Sequence, residues 1–184
     1  MNDEEVFETV GSWFAGSYDL LLGRRTYDIF AAYWPFVEGE EKPMGEAFDA
    51  AGKHVLMRSS QPLDWANSHR LSGVEDVAKL KASEGPDLVI QGSSTIYPAL
   101  LAAGLIDRLS LIIYPIVLGK GKRLFGEGTA PGLLKLVDSR VTSKGTIIAT
   151  YEPGGTIPAT GDFPQPSTSA AEAERQRRMA EGTW

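Results

Sequence analysis

The stretch "LVIQGSSTIYPALLAAG", residues 88–104, decides the fold class. An apolar run ends at Gly92, hydroxyl side chains follow it, and a helical pattern then begins. This order is typical of a buried strand that passes directly into a helix, because glycine lets the backbone turn and hydroxyls cap helix N-termini. Pro98 fits the first helical turn, whose N–H groups lack intrahelical acceptors. Such a junction also predicts a place where backbone N–H groups and the helix dipole could hold an anion.

Strands and helices alternate on both sides of this stretch, which predicts one α/β domain. No internal repeat is visible. Residues 133–152 are predicted to form a closing antiparallel hairpin with its turn at Ser143–Gly145. Helices are predicted over 3–14, 24–34, 44–51, 74–84 and 95–103, and strands over 18–23, 53–60, 87–92 and 107–119, the last one bent or placed at an edge by Pro115.

The composition changes near residue 153. The residues that follow are rich in Pro, Gly, Ser and Thr, and then in Ala, Glu and Arg. Such a segment buries too little apolar surface to offset its ordering entropy. We therefore predict a domain over residues 1–152 and a flexible low-complexity tail over 153–184, with at most a solvated helix at 170–179.

Charge and cysteine content exclude several functions. The net charge of -6 argues against nucleic-acid binding, which needs a basic surface. The chain has no cysteine, so disulfides, thiolate catalysis and cysteine-ligated metals are excluded. No histidine or carboxylate cluster has metal-ligand spacing, so no metal is expected. No apolar run is long enough for a membrane span, and we expect a cytoplasmic protein without a membrane partner.

Three predicted strand ends share one composition of small, hydroxylated and basic residues. Each alone is more often an ordinary turn or N-cap beside surface arginines. In a parallel sheet, however, the carboxyl ends of the strands line one edge, where ligands bind. The occurrence of three such ends makes a phosphate site at this edge as well supported as the alternative of ordinary turns and N-caps. Neither standard nucleotide-binding glycine motif is present. The candidate residues are Gly23, Arg24, Arg25 and Thr26; Arg58, Ser59 and Ser60; and Gly92, Ser93, Ser94 and Thr95.

Two longer blocks, "LLLGRRTYDIFAAYWP" (20–35) and "IQGSSTIYPALLAAGLIDRLSLIIYPIVLGKGKRLFGEG" (90–128), together with the closing hairpin, resemble the dihydrofolate-reductase-like superfamily. They are most similar to the family named for the C-terminal reductase domain of the bifunctional riboflavin-biosynthesis deaminase/reductase. The resemblance covers residues 2–152. It implies a three-layer α/β fold around a mostly parallel central sheet, NADPH as cofactor, and a homodimer formed through the sheet.

The resemblance also assigns roles to the strand ends. Gly23, Arg24 and Thr26, with Arg25 between them, match a segment that approaches the dinucleotide phosphates. Arg58 and Ser59 match the strand end that meets the adenosine 2′-phosphate. The third block matches the turn that holds the pyrophosphate and consists of Gly92, Ser93, Ser94, Thr95 and Ile96.

Two departures from the family affect the expected activity. Members normally open with a central strand and a hydroxyl-x-Asp-Gly-like loop, whereas this sequence begins in the first helix, so the resemblance implies a fold without the usual first strand. Riboflavin-pathway reductases also carry Glu-x-Gly where this chain has Gln91, Gly92 and Ser93, and Asp-Asp-Pro where it has "FAAYWP". The substrate contacts of that pathway are therefore poorly preserved.

The expected function is an NADPH-dependent reductase of a small heterocyclic or carbonyl substrate, similar to 5-amino-6-(5-phosphoribosylamino)uracil reductase and dihydrofolate reductase. The alternative is a catalytically silent homodimer that binds a dinucleotide or another ligand. No catalytic residue is assigned. Asp3, Glu4 and Glu5 are interpreted as complements to the helix dipole, and His54 and His69 as structural or surface residues.

Overall fold

A computed structural model describes residues 3–126, 128–157 and 169–183. Short 3₁₀ helices at Trp34–Phe36 and Gly39–Glu41 precede α3. In chain order the elements are α1 (Glu4–Trp13), β1 (Tyr18–Gly23), α2 (Arg24–Ala31), α3 (Lys42–Ala50), β2 (Lys53–Leu56), β3 (Ser68–Leu71), α4 (Val74–Ala82), β4 (Asp87–Val89), α5 (Tyr97–Ala102), β5 (Leu109–Ile113), β6 (Leu133–Val141), β7 (Ile147–Gly155) and α6 (Ala170–Ala180).

The strands form two sheets. The first is parallel with the order β3-β2-β1-β4, and the second is antiparallel with the order β5-β7-β6. This α/β architecture confirms the predicted class. The prediction of one central sheet differs in detail, because no ladder joins β4 to β5 in the described part of the chain.

Alternate residues of the parallel sheet form two cores, because successive side chains of a strand point to opposite faces. Leu20 and Leu22 face α2 and α3, where they pack with Tyr27 and Phe48. Leu21 faces α4 and α5 on the other side and packs in a cluster with Val77, Ile96 and Leu100. The sheet between two helical layers is the three-layer arrangement that the resemblance implies.

β4 and β5 each have one edge without a strand partner among the described residues. Both strands are apolar, yet Leu88 and Val89 of β4 and most of β5 are only half-buried. Strands that are apolar on both faces normally lie inside a sheet. The apolar side chains at these open edges are therefore less buried than those of the inner strands β1 and β2.

Several element boundaries differ from the sequence predictions. β4 ends at Val89 and α5 begins only at Tyr97, because Gly92 and Ser93 both adopt left-handed backbone conformations (φ +68° and +55°). β5 ends at Ile113, two residues before Pro115, which has no N–H group to donate to a ladder. β3, which contains His69, was not predicted, because "SHRL" (68–71) shows little apolar alternation.

The hairpin of β6 and β7 is confirmed, and its turn is bound to α1. The hydroxyls of Thr142 and Thr146 donate to Asp3 Oδ2 at 2.8 and 3.1 Å, and all three residues are buried. Ser143 N donates to Glu5 Oε1 at 2.8 Å. These contacts dock the first helix against the second sheet.

The predicted domain boundary at residue 152 lies inside β7, which continues to Gly155. Ser169 caps α6, because its hydroxyl accepts a hydrogen bond from Glu172 N. Nearly all residues of this helix are exposed, as expected for a solvated helix. Residues 158–168 of the predicted tail lie outside the described part. Among the described residues, none of the helices has the length and hydropathy needed to cross a bilayer.

Candidate phosphate-binding site

Two of the three predicted strand ends are joined by reciprocal hydrogen bonds. Gly23 N, at the end of β1, donates to Ser93 Oγ at 2.9 Å. Ser93 N donates in turn to Thr26 Oγ1, in the first turn of α2, at 3.1 Å. We call these two bonds the Ser93 latch. The latch fixes the β1–α2 junction against the turn before α5 at the carboxyl edge of the parallel sheet.

The latch gives Ser93 and Thr26 a different role from the predicted one. Ser93 is buried, and its left-handed backbone carries a conformational cost that its two hydrogen bonds offset. Its hydroxyl and that of Thr26 therefore bind protein N–H groups. The position also limits Gly23, where an added Cβ would lie 3.3 Å from the Ile96 side chain.

Other N–H groups at this edge lack a protein acceptor. Within the described residues, Ser94 N and Thr95 N make no hydrogen bond. Arg24 and Arg25 begin α2, whose first N–H groups have no intrahelical partners. These donors, beside the positive end of the α2 dipole, are suited to an anionic group.

The third strand end is the segment that follows β2, residues 57–67, here called the β2–β3 loop. Arg24 reaches it: its Nε donates to Asp28 Oδ1 and its Nη1 to Pro62 O, both at 2.8 Å. Arg24 was predicted to approach the dinucleotide phosphates, but its guanidinium is engaged with the loop. All three predicted strand ends therefore lie along one edge, as the sequence predicted.

Arg70 is a charged residue of this edge that the sequence analysis missed. It lies in β3 and donates to Ser59 O at 2.5 Å and to Gln61 O at 2.9 Å. No motif marked it, because the strand carrying it was not predicted. The side chains of Arg58 and Arg25, by contrast, are exposed and make no hydrogen bond or ion pair with other described residues. Their guanidinium groups are the two most available to a ligand.

Gln91 supplies a further polar atom at the end of β4. Its Oε1 is buried without a hydrogen-bond partner among the described residues. A buried acceptor without a donor is costly, so a ligand N–H or O–H beside Gly92 would be favoured there. Together with the free N–H groups and the available arginines, this atom makes the edge compatible with a phosphorylated ligand that also carries polar hydrogens.

Two buried titratable residues, Lys53 and His54, lie at the opposite end of β2 from this edge. Lys53, the first residue of β2, donates to Phe48 O and Asp49 O and lies 4.5 Å from the Trp65 ring centre; burial lowers its pKa to about 8. His54 bonds Asp19 Oδ2 at 2.9 Å and stacks on the ring of His69. These are packing and capping contacts. No group of three or more His, Asp or Glu in the described ranges could hold a metal.

The acidic residues of α1 are bound to the hairpin turn. Burial raises the pKa of Asp3, but donation from Thr142 and Thr146 outweighs it, and the pKa is below its ordinary value. Hydrogen bonds from Ser143 likewise lower the pKa of Glu5. These contacts support the structural interpretation of the first-turn carboxylates.

A cavity of about 360 Å³ lies apart from the latch residues. The cavity lies between the end of α5 and the chain that leads into β6. Its lining is mainly apolar and includes Leu101, Phe125, Pro131 and Leu134. The volume would admit a small organic molecule.

Comparison with known proteins decides the family. The family model described as "RibD C-terminal domain" matches residues 3–148. The chain belongs to the RibD C-terminal domain family. The chain is also 31% identical, over 142 residues, to the uncharacterized protein YyaP of Bacillus subtilis. This match spans 74% of each of the two chains. The resemblance identified from the sequence blocks is thereby confirmed.

Solved structures show that the fold is shared with dihydrofolate reductase. A Shewanella sp. PV-4 protein assigned to riboflavin biosynthesis superposes with a TM-score of 0.57 at 24% identity, covering 76% of this chain and 75% of the other. RibD of Acinetobacter baumannii gives 0.57 at 17% identity, over 83% of this chain and 51% of that one. Dihydrofolate reductase of Enterococcus faecalis, solved with NADP(H), gives 0.54 at 16% identity and covers 84% of both chains.

Proposed function

We propose that this RibD-family chain binds NADPH along the latched edge of the parallel sheet and reduces a small heterocyclic or carbonyl substrate. One observation carries the proposal: three separate strand ends meet at one edge, which offers free N–H groups at residues 94–95 and available guanidinium groups at Arg25 and Arg58. The same fold binds NADP(H) in the Enterococcus faecalis enzyme. The bound cofactor would supply the hydride.

The residues of this chain would bind and orient the cofactor. Ser94 N, Thr95 N and the first turn of α2 would hold the pyrophosphate, where the helix dipole favours negative charge. Arg58, beside Ser59, would face the adenosine 2′-phosphate, because a guanidinium matches a phosphate bidentately. Gln91 Oε1 would accept a hydrogen bond from the ligand. No described residue is assigned as the proton donor.

Calorimetric titration of the whole chain with NADPH and NADH tests this proposal. We expect the chain to bind NADPH more tightly than NADH. Arg58→Ala should weaken the affinity for NADPH about tenfold and change the affinity for NADH by less than about twofold. Arg108→Ala is the matched control, because Arg108 is an exposed arginine that pairs with Glu152 beside the second sheet. Absence of NADPH binding at millimolar concentration would refute the proposal, and equal losses for both cofactors would refute the role of Arg58.

A catalytically silent dinucleotide-binding protein is the second candidate. The open edges of β4 and β5 favour it, because no ladder joins the two sheets among the described residues and the apolar side chains of both strands are only half-buried. In that case NADPH would bind without turnover. Oxidation of NADPH by the whole chain in the presence of a pterin, pyrimidine or quinone panel, followed by the absorbance of the reduced cofactor, would reject this candidate.

We also propose a homodimer formed through the second sheet. Ile113, Val141 and Ile147 are register neighbours on one face of this sheet and are 46%, 66% and 41% exposed. Contiguous exposed apolar side chains commonly mark an interface. Sedimentation of the parent protein should give the mass of two chains, and sedimentation of the Val141→Lys variant should give the mass of one chain. Ile29→Lys, an exposed position on α2, should leave the dimer intact. A monomeric parent protein would contradict the proposal.

The cytoplasmic location expected from the sequence stays a prediction.

A further inference from the structure

Two arginines from different elements hold the main chain of the β2–β3 loop. Arg70 of β3 donates to Ser59 O and Gln61 O, and Arg24 of α2 donates to Pro62 O and, at 3.4 Å, to the same Gln61 O. The guanidinium fork can span two carbonyl oxygens, and hydrogen bonds from a charged donor are stronger than neutral ones. The loop is therefore fixed from both sides.

The charges around this loop do not balance. Two guanidinium groups converge on the Gln61 carbonyl, while Asp28 pairs only with Arg24. Within the described residues Arg70 has no carboxylate partner, and Asp64 of the same loop pairs with neither arginine. Arg58 adds an unpartnered positive charge at the start of the loop. A dianion bound there would offset this repulsion.

We propose that Arg70 is a positioning residue for the phosphate subsite: by holding Ser59 O and Gln61 O it fixes the loop so that Arg58 meets the 2′-phosphate of NADPH. The inference rests on the proposed cofactor. Arg70 acts through the geometry of its fork, and the main chain of the loop carries its effect to Arg58. The direct phosphate contact belongs to Arg58.

The contribution of geometry is separable from that of charge. Arg70→Lys keeps the positive charge, but an ammonium is a compact donor that does not span two carbonyls as a guanidinium does. Arg70→Gln removes the charge as well. Arg140→Gln is the matched control, because Arg140 is an exposed strand arginine that also donates to a backbone carbonyl, Glu5 O at 2.9 Å, in the second sheet.

Calorimetric titration of the whole chain with NADPH and NADH tests the inference. We expect both Arg70 variants to weaken NADPH about tenfold and NADH by less than about twofold, and Arg140→Gln to change neither. Hydrogen exchange of residues 57–66, measured without cofactor, should be faster in both Arg70 variants than in the parent protein. This second readout reports the loop directly and needs no turnover.

Each of the following outcomes would overturn the inference. If Arg70→Lys keeps the full NADPH preference, the effect is one of charge alone. If the Arg70 variants lose affinity equally for NADPH and NADH, or if the hydrogen exchange of the loop is unchanged in them, Arg70 does not position the loop. If the parent chain shows no NADPH preference, the proposed 2′-phosphate subsite fails, and the inference with it. A preference in the parent that survives in both Arg70 variants overturns only the inference.

Discussion

At the scale of single residues, Ser93 joins two strand ends that would otherwise be independent. Its hydroxyl accepts a hydrogen bond from Gly23 N, and its own N–H donates to Thr26 Oγ1. The backbone of Ser93 adopts a left-handed conformation that most residues avoid. Ser93→Ala keeps the strained backbone but leaves the buried Gly23 N–H without its acceptor.

We therefore expect Ser93→Ala to lower the free energy of unfolding by about 1–3 kcal/mol, measured by urea denaturation. Ser94→Ala is the control, since Ser94 makes no hydrogen bond within the described chain, and it should change stability by less than about 0.5 kcal/mol. Equal effects of the two substitutions would show that the latch contributes nothing specific.

At the scale of elements, the docking of α1 depends on the carboxylate of Asp3. The pKa of Asp3 is lower in the folded protein than its ordinary value, chiefly because burial, which raises it, is outweighed by hydroxyl donors from Thr142 and Thr146. A carboxyl with a lowered folded pKa stabilises the fold above its unfolded pKa and loses this contribution as the pH falls through the folded value.

Asp3→Asn should therefore lower the melting temperature at pH 7, and the difference from the parent protein should shrink as the pH falls below the unfolded pKa of aspartate, near 3.8. Thermal denaturation between pH 7 and pH 3 measures this. Glu4→Gln, an exposed neighbour without a partner in the described structure, should follow the parent curve. A constant difference across the range would mean that the charge of Asp3 is not what matters.

At the scale of the whole molecule, the chain combines a parallel sheet between two helical layers with a separate antiparallel sheet and an exposed C-terminal helix. α6 carries its own ion pairs, such as Arg177 with Glu174, and is polar on nearly all sides. Removal of all residues after Gly155 should therefore change the free energy of unfolding by less than about 0.5 kcal/mol. A loss of cooperative urea unfolding in the truncated chain would contradict the domain prediction.

The sequence predicted the class of fold and the edge that carries the candidate site, because strand–glycine–helix junctions depend on local backbone preferences. It did not predict the role of Ser93, since a hydroxyl near a helix start is equally compatible with a cap, a ligand contact and a tertiary hydrogen bond. Arg70 was missed because β3 is too short and polar to show periodicity. The split into two sheets depends on which strands pair, and this is a property of tertiary structure.

We propose that residues 23–26, 58–62 and 92–96 together bind one phosphorylated dinucleotide. Hydrogen–deuterium exchange of the whole chain, measured with and without saturating NADPH, tests it most directly. We expect NADPH to slow exchange in all three segments, with less protection of residues 58–62 when NADH replaces it. Unchanged exchange in these segments under saturating NADPH, with protection confined to the cavity-lining residues 125–126 and 129–132, would contradict it.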